Sequence, residues 1–149
     1  MFSALNNILL ADDDKEDCLF FKEALEELPI TTSLTIVHDG EQLMQLLTKV
    51  TIELPHVLFL DLNMPRKNGF SCLEEIKGDG RLKELPVIIF STPCEQEIAD
   101  QLYDYGAYLY ICKPTDFTKL KNVIHHALSR LVIADAPKRA KENFMLKHL

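Results

Sequence analysis

The stretch LFLDLNMPRKNGF at residues 58–70 decides the fold, because in it a run of apolar residues ends abruptly on an aspartate. Residues 58–60 are continuously apolar, which is typical of a strand buried on both faces of a sheet. Asp61 follows without a break, and Pro65 and Gly69 then indicate a shaped loop. An aspartate in this position either caps the turn or is a reactive group at the rim of a sheet.

Segments on both sides of this stretch alternate between short apolar runs and helical patterns. Apolar runs of strand length lie within residues 6–11, 33–40, 56–60, 87–91 and 107–112. Helical patterns follow at residues 15–28, 41–50, 70–77, 95–106 and 115–133. Five strand–helix pairs predict an α/β fold, with a five-stranded parallel sheet in a doubly wound (βα)5, flavodoxin-like arrangement.

The composition changes after about residue 133, where the sequence continues as ADAPKRAKENFMLKHL. This segment is too short to be a second domain. We therefore expect one domain over residues 5–132 and a C-terminal extension over residues 133–149. The extension is predicted to be either a frayed tail or a short amphipathic helix that docks on the domain or on a partner.

The charge and hydropathy of the 149-residue chain argue against several classes of function. Sixteen basic and 23 acidic residues give a formal charge of −7, whereas nonspecific nucleic-acid binding requires a basic surface. No segment approaches the roughly 18 uninterrupted apolar residues of a membrane span, and the N-terminus lacks the pattern of a signal peptide. We expect a cytoplasmic protein with neither a nucleic acid nor a membrane as its partner.

The four cysteines are widely separated along the chain, at Cys18, Cys72, Cys94 and Cys112. No two of them form a C-x-x-C pair, which argues against a zinc site. We expect all four to be free and mostly buried thiols, as is usual in a reducing compartment.

Polar side chains stand at the carboxyl ends of four predicted strands, where open parallel sheets form their sites. They are Asp12, Asp13 and Asp14 after the first strand, Asp61 and Asn63 after the third, Ser91 and Thr92 after the fourth, and Lys113 after the fifth. Clustered carboxylates repel one another unless a cation lies between them, and a few carboxylates together with waters suit Mg²⁺. With a lysine and a hydroxyl nearby, such a set can transfer a phosphoryl group to a carboxylate nucleophile.

The loop after the first predicted strand argues against a bound nucleotide or flavin. Its sequence, ADDDK at residues 11–15, lacks the glycines that bring backbone N–H groups to a phosphate. The chain also contains no G-x-G-x-x-G and no P-loop motif. Three aspartates would repel a bound phosphate monoester unless a metal ion intervened.

Four motifs, in order and spacing, carry a resemblance to a known family. They are ILLADDD at 8–14, LFLDLNMPRKNGF at 58–70, PVIIFST at 86–92 and YLYICKP at 108–114. On these motifs the chain resembles the CheY-like receiver domain of bacterial two-component response regulators, over about residues 5–132. The DLNMPRKNGF stretch is also similar to that of stand-alone regulators paired with phytochrome-type and other hybrid sensor kinases.

The resemblance implies roles for the acidic residues. Asp61 would be the phosphoacceptor, and Asp12 and Asp13 would be the acidic pair, with Asp13 the direct ligand of Mg²⁺. The backbone carbonyl of Asn63 would be a further metal ligand beside Asp61. Because the first loop holds three aspartates, this assignment can shift by one residue, and Asp14 can instead cap the first helix.

The resemblance also implies roles for residues at the fourth and fifth strands. Ser91 would bind and sense the phosphoryl group, and Lys113 would form an ion pair with it. Tyr110 would be an aromatic switch that turns inward when Ser91 moves. Thr92 stands where a smaller residue is frequent in the family, so we hypothesise that it hinders the attacking water and slows dephosphorylation.

The partners that the resemblance implies are a sensor histidine kinase or a histidine phosphotransfer protein. Output would pass through the face formed by the fourth helix, the fifth strand and the fifth helix, and this face or the tail could also mediate a homodimer. Contact residues expected on that face are Glu95, Glu97, Asp100, Asp104 and Tyr108. The expected chemistry is limited to self-phosphorylation from phosphodonors and slow self-dephosphorylation, so the protein is not expected to be an enzyme.

Two other functions stay open at this point. A Mg²⁺-dependent phosphohydrolase would use the same aspartyl-phosphate chemistry, but such enzymes typically carry an acid two residues after the nucleophile, where this chain has Asn63. A degenerate receiver that only binds would lack the phosphoacceptor, one of the acids or the lysine. All of these residues are present.

Overall fold

The apolar runs form strands, and the segments between them form helices, in the computed structural model, which describes residues 7–49, 53–92, 94–132 and 143–146. The strands are β1 (Asn7–Ala11), β2 (Ser33–Val37), β3 (Val57–Leu60), β4 (Val87–Ser91), β5 (Leu109–Cys112) and β6 (Met145–Leu146). The helices are α1 (Lys15–Glu26), α2 (Gly40–Leu47), α3 (Gly69–Lys77), α4 (Gln96–Asp104) and α5 (Phe117–Val132). Among the helices of these ranges, none has the length and hydropathy of a membrane span.

The strands form one parallel sheet in the order β2-β1-β3-β4-β5-β6. The chain winds from β1 to β2 in one direction and through β3 to β5 in the other, which confirms the predicted doubly wound arrangement. The winding reverses between β1 and β3, where Ala11 is in register with Leu60. The next residue of each strand, Asp12 and Asp61, therefore enters its loop beside the other.

Two apolar layers cover the two faces of the sheet. On one face α1 and α5 pack over Phe21, Phe59 and Phe90, whose rings meet edge to face. On the other face α2, α3 and α4 pack over residues such as Leu58 and Leu60. Every residue of β3 is buried, as its unbroken apolar sequence predicts. Apolar packing on both faces therefore fixes β3, the strand that ends just before Asp61.

Side-chain caps begin four of the helices. The carboxylate of Asp14 accepts a hydrogen bond of 3.1 Å from the backbone N–H of Asp17, which confirms that Asp14 caps α1. Asp39 and Asn68 cap α2 and α3 in the same way, and Asp116 accepts a bond from the N–H of Thr118 at the start of α5. One carboxylate oxygen of Asp14 is therefore engaged by the first turn of α1.

A sixth strand lies beside β5, in the segment that the sequence predicts to be a frayed tail or an amphipathic helix. Within residues 133–149 the structure describes 143–146, of which Met145 and Leu146 form β6 parallel to β5. The ring of Phe144 is 1% exposed and meets the ring of Tyr103 on α4 at 5.3 Å. These described residues pack on the domain as a short strand. The rest of the extension lies outside the described residues, and the boundary at 132 stays a prediction.

The prediction that all four cysteines are free thiols is wrong for two of them. Cys94 and Cys112 form a disulfide, with their Cα atoms 5.6 Å apart. The cause lies in the register of the sheet, since Cys112 pairs with Ser91 across β4 and β5, and Cys94 follows Ser91 by three residues. Cys18 and Cys72 are free and buried, as predicted.

Candidate functional site

Asp61 is held at the carboxyl end of β3 by backbone and side-chain hydrogen bonds. Its N–H donates to the carbonyl of Ala11 at 2.9 Å, which continues the ladder between β1 and β3. Its side chain is nearly buried, and Oδ1 accepts a 2.7 Å hydrogen bond from the hydroxyl of Ser91, the last residue of β4. The backbone N–H of Asn63 also points to Oδ1, at 3.3 Å. The carboxylate is therefore fixed, with one oxygen bound from β4 and from its own loop.

The ammonium group of Lys113, the residue directly after β5, contacts three carboxylates. Its Nζ lies 2.8 Å from Oδ2 of Asp12, 2.8 Å from Oδ2 of Asp17 and 3.4 Å from Oδ2 of Asp61. Burial alone would lower the pKa of Lys113, but the hydrogen bonds to Asp12 and Asp17 outweigh it, so its pKa is raised. The ammonium is thus held charged at the centre of the site.

Asp12 is the carboxyl group of this cluster whose pKa is raised. Its side chain is fully buried, and burial raises its pKa to about 6, even though Lys113 and the backbone N–H of Asp14 favour the charged form. The neighbouring charge of Asp61 raises the pKa of Asp12 further. Asp12 is therefore a carboxylate that would gain from a second positive charge nearby.

The carboxylate oxygens of Asp12, Asp13 and Asp61 meet the geometric requirement of a shared cation. One oxygen from each lies within 4.8 Å of the others. The three come from the ends of two adjacent strands, as the register of β1 and β3 dictates. Hard oxygen donors in this number suit a small divalent cation that keeps part of its water shell. The donor set, together with the raised pKa of Asp12, fits such an ion.

The loop after Asp61 is shaped by close backbone packing. A Cβ atom at Gly69 would lie 2.4 Å from the carbonyl oxygen of Asp61, so only glycine fits at the start of α3. The N–H of Gly69 donates to the carbonyl of Leu62 at 2.9 Å, which closes the loop. Arg66 takes a positive φ of 69° within it. The amide of Asn63 donates to the carbonyl of Thr92 at 3.0 Å and so joins this loop to the end of β4.

Tyr110 on β5 is buried, three residues before Lys113. Its side chain is 0% exposed, and its hydroxyl is hydrogen-bonded to the backbone of Glu95, the residue before α4. Burial raises the pKa of Tyr110. The ring is therefore directed inward, against the connection that joins Ser91 to α4.

The structure brings six of the predicted site residues to the carboxyl edge of the sheet, namely Asp12, Asp13, Asp61, Asn63, Ser91 and Lys113. Tyr110 lies within β5, in register with Ile89, and its hydroxyl reaches the backbone of Glu95. Sequence reasoning missed Asp17, which contacts Lys113 from the first turn of α1. In the sequence, Asp17 looks like an ordinary acidic residue in the first turn of a helix. Its closeness to the acidic loop at residues 12–14 was the one signal that could have placed it in the site.

Comparisons with known proteins agree with this geometry. The model of the response regulator receiver domain family matches residues 8–125. The chain is 30% identical over 121 residues to response regulator Rcp1 of Synechocystis sp. (strain ATCC 27184 / PCC 6803 / Kazusa), covering 78% of this chain and 82% of that protein. It is also 30% identical over 126 residues to protein RcaC of Microchaete diplosiphon, but spans only 19% of RcaC while 85% of this chain is covered.

Solved structures show the same fold. The phosphorylated cyanobacterial phytochrome response regulator RcpA superposes with a TM-score of 0.78 at 29% identity, covering 86% of this chain and 94% of that chain. The Mn²⁺-bound form of Rcp1 superposes with a TM-score of 0.76 at 27% identity, covering 91% and 99% of the two chains. Because the family model matches well over half of the chain and the strand-end residues form one site, the chain belongs to the response regulator receiver domain family.

Proposed function

We propose that the protein is a response regulator that accepts a phosphoryl group on Asp61 from a histidine kinase or a histidine phosphotransfer protein. One observation carries the proposal. The carboxylate of Asp61 is held between the hydroxyl of Ser91 at 2.7 Å and the ammonium of Lys113 at 3.4 Å, beside two further aspartates. An aspartate that merely ended a strand would not need a cation and a hydroxyl aimed at its two oxygens.

In the proposed reaction an oxygen of Asp61 attacks the phosphorus atom of the donor. The bond between phosphorus and the donor's leaving group breaks, and the leaving group keeps the electron pair. Lys113 is placed to pair with the phosphoryl oxygens, and the hydroxyl of Ser91 can turn from Asp61 to donate to one of them. The fixed carboxylate supplies orientation, since its loop and strand hold it before the donor arrives.

We propose Mg²⁺ as the ion of the acidic cluster, held by Asp12, Asp13, Asp61 and the backbone carbonyl of Asn63. The proximity of the three carboxylates supports this ligand set, and the Mn²⁺-bound form of the relative Rcp1 supports a divalent ion. When bound, Mg²⁺ would supply positive charge to the phosphoryl oxygens. Lys113 would then share the carboxylates with the ion.

The switch that we propose runs from Ser91 to Tyr110. When the Ser91 hydroxyl turns toward a phosphoryl oxygen, it would pull on the segment between β4 and α4. Tyr110 would respond, because its hydroxyl is hydrogen-bonded to the backbone of Glu95 in that segment. The changed surface would be the face of α4, β5 and α5. That face is the proposed contact for output partners or for a homodimer, to which the C-terminal extension could contribute. We expect the protein to act in the cytoplasm, without nucleic acid or membrane as a partner.

A phosphohydrolase is the second candidate, and the position of Asn63 disfavours it. Such an enzyme needs an acid that protonates the leaving group, and the Asn63 amide is instead hydrogen-bonded to the carbonyl of Thr92. A binding-only receiver comes last, because the acids, the phosphoacceptor and the lysine are brought together. We therefore expect self-phosphorylation and slow self-dephosphorylation, and no turnover of phosphoesters.

The test is the Mg²⁺-dependent uptake of phosphate from acetyl phosphate, followed by intact mass. Wild-type protein should gain one phosphoryl group, and Asp61→Asn should gain none. The matched control is Asp104→Asn, which removes an exposed aspartate of α4 and should behave like wild type. Uptake by Asp61→Asn, or no uptake by wild type, would overturn the proposal. Release of phosphate from a simple phosphoester by wild type, but not by Asp61→Asn, would favour the phosphohydrolase instead.

A further inference from the structure

The disulfide between Cys94 and Cys112 lies next to the proposed switch. Cys94 follows Ser91 by three residues, and Cys112 directly precedes Lys113. Ser91 and Cys112 are partners in the ladder between β4 and β5, and the carbonyl of Ser91 accepts a 3.2 Å bond from the N–H of Lys113. The disulfide therefore joins the segment just after Ser91 to the residue just before Lys113, and these are the two residues proposed to bind the phosphoryl group.

The same connection between β4 and α4 is also held by Tyr110. The backbone of Glu95, next to Cys94, is hydrogen-bonded to the buried Tyr110 hydroxyl. The Sγ of Cys94 lies 4.0 Å from the carbonyl oxygen of Ser91. In the disulfide form, then, Cys94 is covalently fixed to β5 while Tyr110 is directed inward. A disulfide at this place therefore holds in position the segment through which the proposed switch acts.

The other two cysteines lack the reactivity for such a role. Cys18 and Cys72 are free thiols in the two apolar layers of the core. Burial raises the pKa of Cys18 to about 12 and that of Cys72 to about 11, so neither forms a thiolate readily. Cys94, in contrast, is half-buried and lies in the segment that leads into α4.

We propose that Cys94 and Cys112 form a thiol–disulfide exchange site whose redox state sets the rate at which Asp61 accepts a phosphoryl group. This inference rests on the proposed function of Asp61. Its co-reactants are a protein dithiol as reductant and a small-molecule or protein disulfide as oxidant. Disulfides in reducing compartments are seldom structural and are more often transient and redox-sensing, which agrees with a bond placed at a switch.

The exchange is balanced in atoms and electrons. A thiolate of the dithiol attacks Sγ of Cys94, the S–S bond of the protein breaks, and Cys112 leaves as a thiolate that takes up a proton. The second thiol of the reductant then attacks the mixed disulfide, so that Cys94 also leaves as a thiol. The protein gains two electrons and two protons, and the dithiol becomes a disulfide. Oxidation follows the same steps in reverse.

The direction of the effect follows from the observed arrangement. In the disulfide form Tyr110 is already inward and the backbone around Ser91 is held, so only the Ser91 hydroxyl has to turn from Asp61 when the phosphoryl group arrives. Reduction frees Cys94 and lets its connection sample other positions, which must be reordered before transfer. The oxidised protein should therefore accept the phosphoryl group about fivefold faster or more, within the usual range of coupling between two sites.

The experiment uses the full chain in two states, reduced by dithiothreitol or oxidised by glutathione disulfide, each freed of reagent before assay. Alkylation under denaturing conditions, followed by intact mass, should count four reactive thiols in the reduced protein and two in the oxidised protein. The initial rate of Mg²⁺-dependent phosphoryl uptake from acetyl phosphate is then compared between the states. The double variant Cys94→Ser, Cys112→Ser should respond to neither reagent. The control Cys72→Ala, which removes a free thiol away from the site, should respond like wild type.

Each outcome separates this proposal from the function on which it rests. Faster uptake by the oxidised wild type, lost in the double variant, would support the proposal. Equal rates in the two states, or slower uptake by the oxidised state, would overturn it while Asp61 remained the phosphoacceptor. Four alkylated thiols after oxidation would also overturn it. No uptake in either state would overturn the proposed function itself, and the redox proposal with it.

Discussion

The hydroxyl of Ser91 donates a 2.7 Å hydrogen bond to Oδ1 of Asp61, and so joins the last residue of β4 to the first residue after β3. The bond is buried, which makes it stronger and makes its loss more costly. The proposed phosphoacceptor and the proposed sensor of phosphorylation are therefore in contact before any phosphoryl group arrives. A change at one of them must alter the hydrogen bonding of the other.

Replacement of Ser91 by alanine should slow phosphoryl uptake about tenfold. The variant removes the donor that orients Asp61 and that can turn to a phosphoryl oxygen, and a hydrogen bond to a charged group contributes about 1.5–3 kcal/mol. The measurement is the rate of uptake from acetyl phosphate by intact mass. Ser91→Thr keeps the hydroxyl and should stay close to wild type, so equal loss in both variants would contradict a role for the hydroxyl.

Asp12→Asn should stabilise the protein in the absence of divalent cations. The folded protein raises the pKa of Asp12 to about 6, so it binds more protons than the unfolded chain between about pH 4 and pH 6. Stability from this group is therefore present at low pH and is lost as the pH rises through about 6. The variant should gain about 1–3 kcal/mol of unfolding free energy near pH 7 and little near pH 4, measured by urea unfolding with EDTA.

Added Mg²⁺ provides the control for the Asp12 prediction. Mg²⁺ should raise the unfolding free energy of wild type much more than that of Asp12→Asn, because a ligand that binds the folded state stabilises it. If Asp12→Asn raised the unfolding free energy equally near pH 4 and near pH 7, the raised pKa of Asp12 would be contradicted. An equal effect of Mg²⁺ on both proteins would contradict Asp12 as a ligand.

Lys113→Met should bind divalent cations more tightly than wild type but accept phosphoryl groups more slowly. The ammonium lies within 3.4 Å of Asp12, Asp17 and Asp61, so its charge repels an ion held by the same carboxylates. Titration with Mn²⁺ should show a several-fold lower dissociation constant, while uptake from acetyl phosphate at saturating Mg²⁺ should fall. As a control, Lys121→Met removes a lysine paired with Glu27 on the outside of α1 and α5, and should change neither quantity. Weaker metal binding by Lys113→Met would contradict the prediction.

Thr92→Ala should shorten the lifetime of the phosphoryl group. The exposed Thr92 follows Ser91 directly, and a methyl group in place of its branched side chain would open the approach of water to Asp61. The loss of phosphoryl mass with time, after the donor is removed, gives the rate. Thr92→Val keeps the bulk without the hydroxyl and should remain slow. An unchanged rate in Thr92→Ala would dismiss steric protection by this residue.

Phe144→Ala should lower the unfolding free energy by about 3 kcal/mol or more, which is usual when a buried phenylalanine is truncated. The ring is 1% exposed and lies against Tyr103 of α4. The matched control is Met145→Ala on the next residue, which is only partly buried and should cost much less. Urea unfolding at fixed pH measures both. Equal and small effects would show that the described part of the extension contributes nothing to the stability of the domain.

The parts of the site that could be predicted are those that the sheet itself positions. Each strand of a parallel sheet ends at the same rim, so Asp12, Asp61, Ser91 and Lys113 had to meet once β1, β3, β4 and β5 were recognised. Their apolar strands made recognition possible, because a fully buried strand has an unbroken apolar sequence.

The parts that could not be predicted depend on register and on packing across the fold. The bond between Cys94 and Cys112 follows from which residue of β4 faces which residue of β5, and a separation of 18 residues carries no such information. Asp17 has the sequence context of any acidic first turn, and only its direction toward Lys113 makes it part of the site. Strand β6 has two residues, which are too few to show the alternation of apolar and polar residues that predicts a strand.

The contact between β5 and β6 also affects how the protein behaves at high concentration. The N–H of Tyr110 donates to the carbonyl of Phe144, and Ile111 is in register with Leu146. Without these partners β5 would present unpaired backbone groups on an apolar strand, which is a template for strand addition by another chain and for aggregation. The chain thus covers the edge of β5 with its own residues, and removal of the extension should make the domain aggregate sooner on heating.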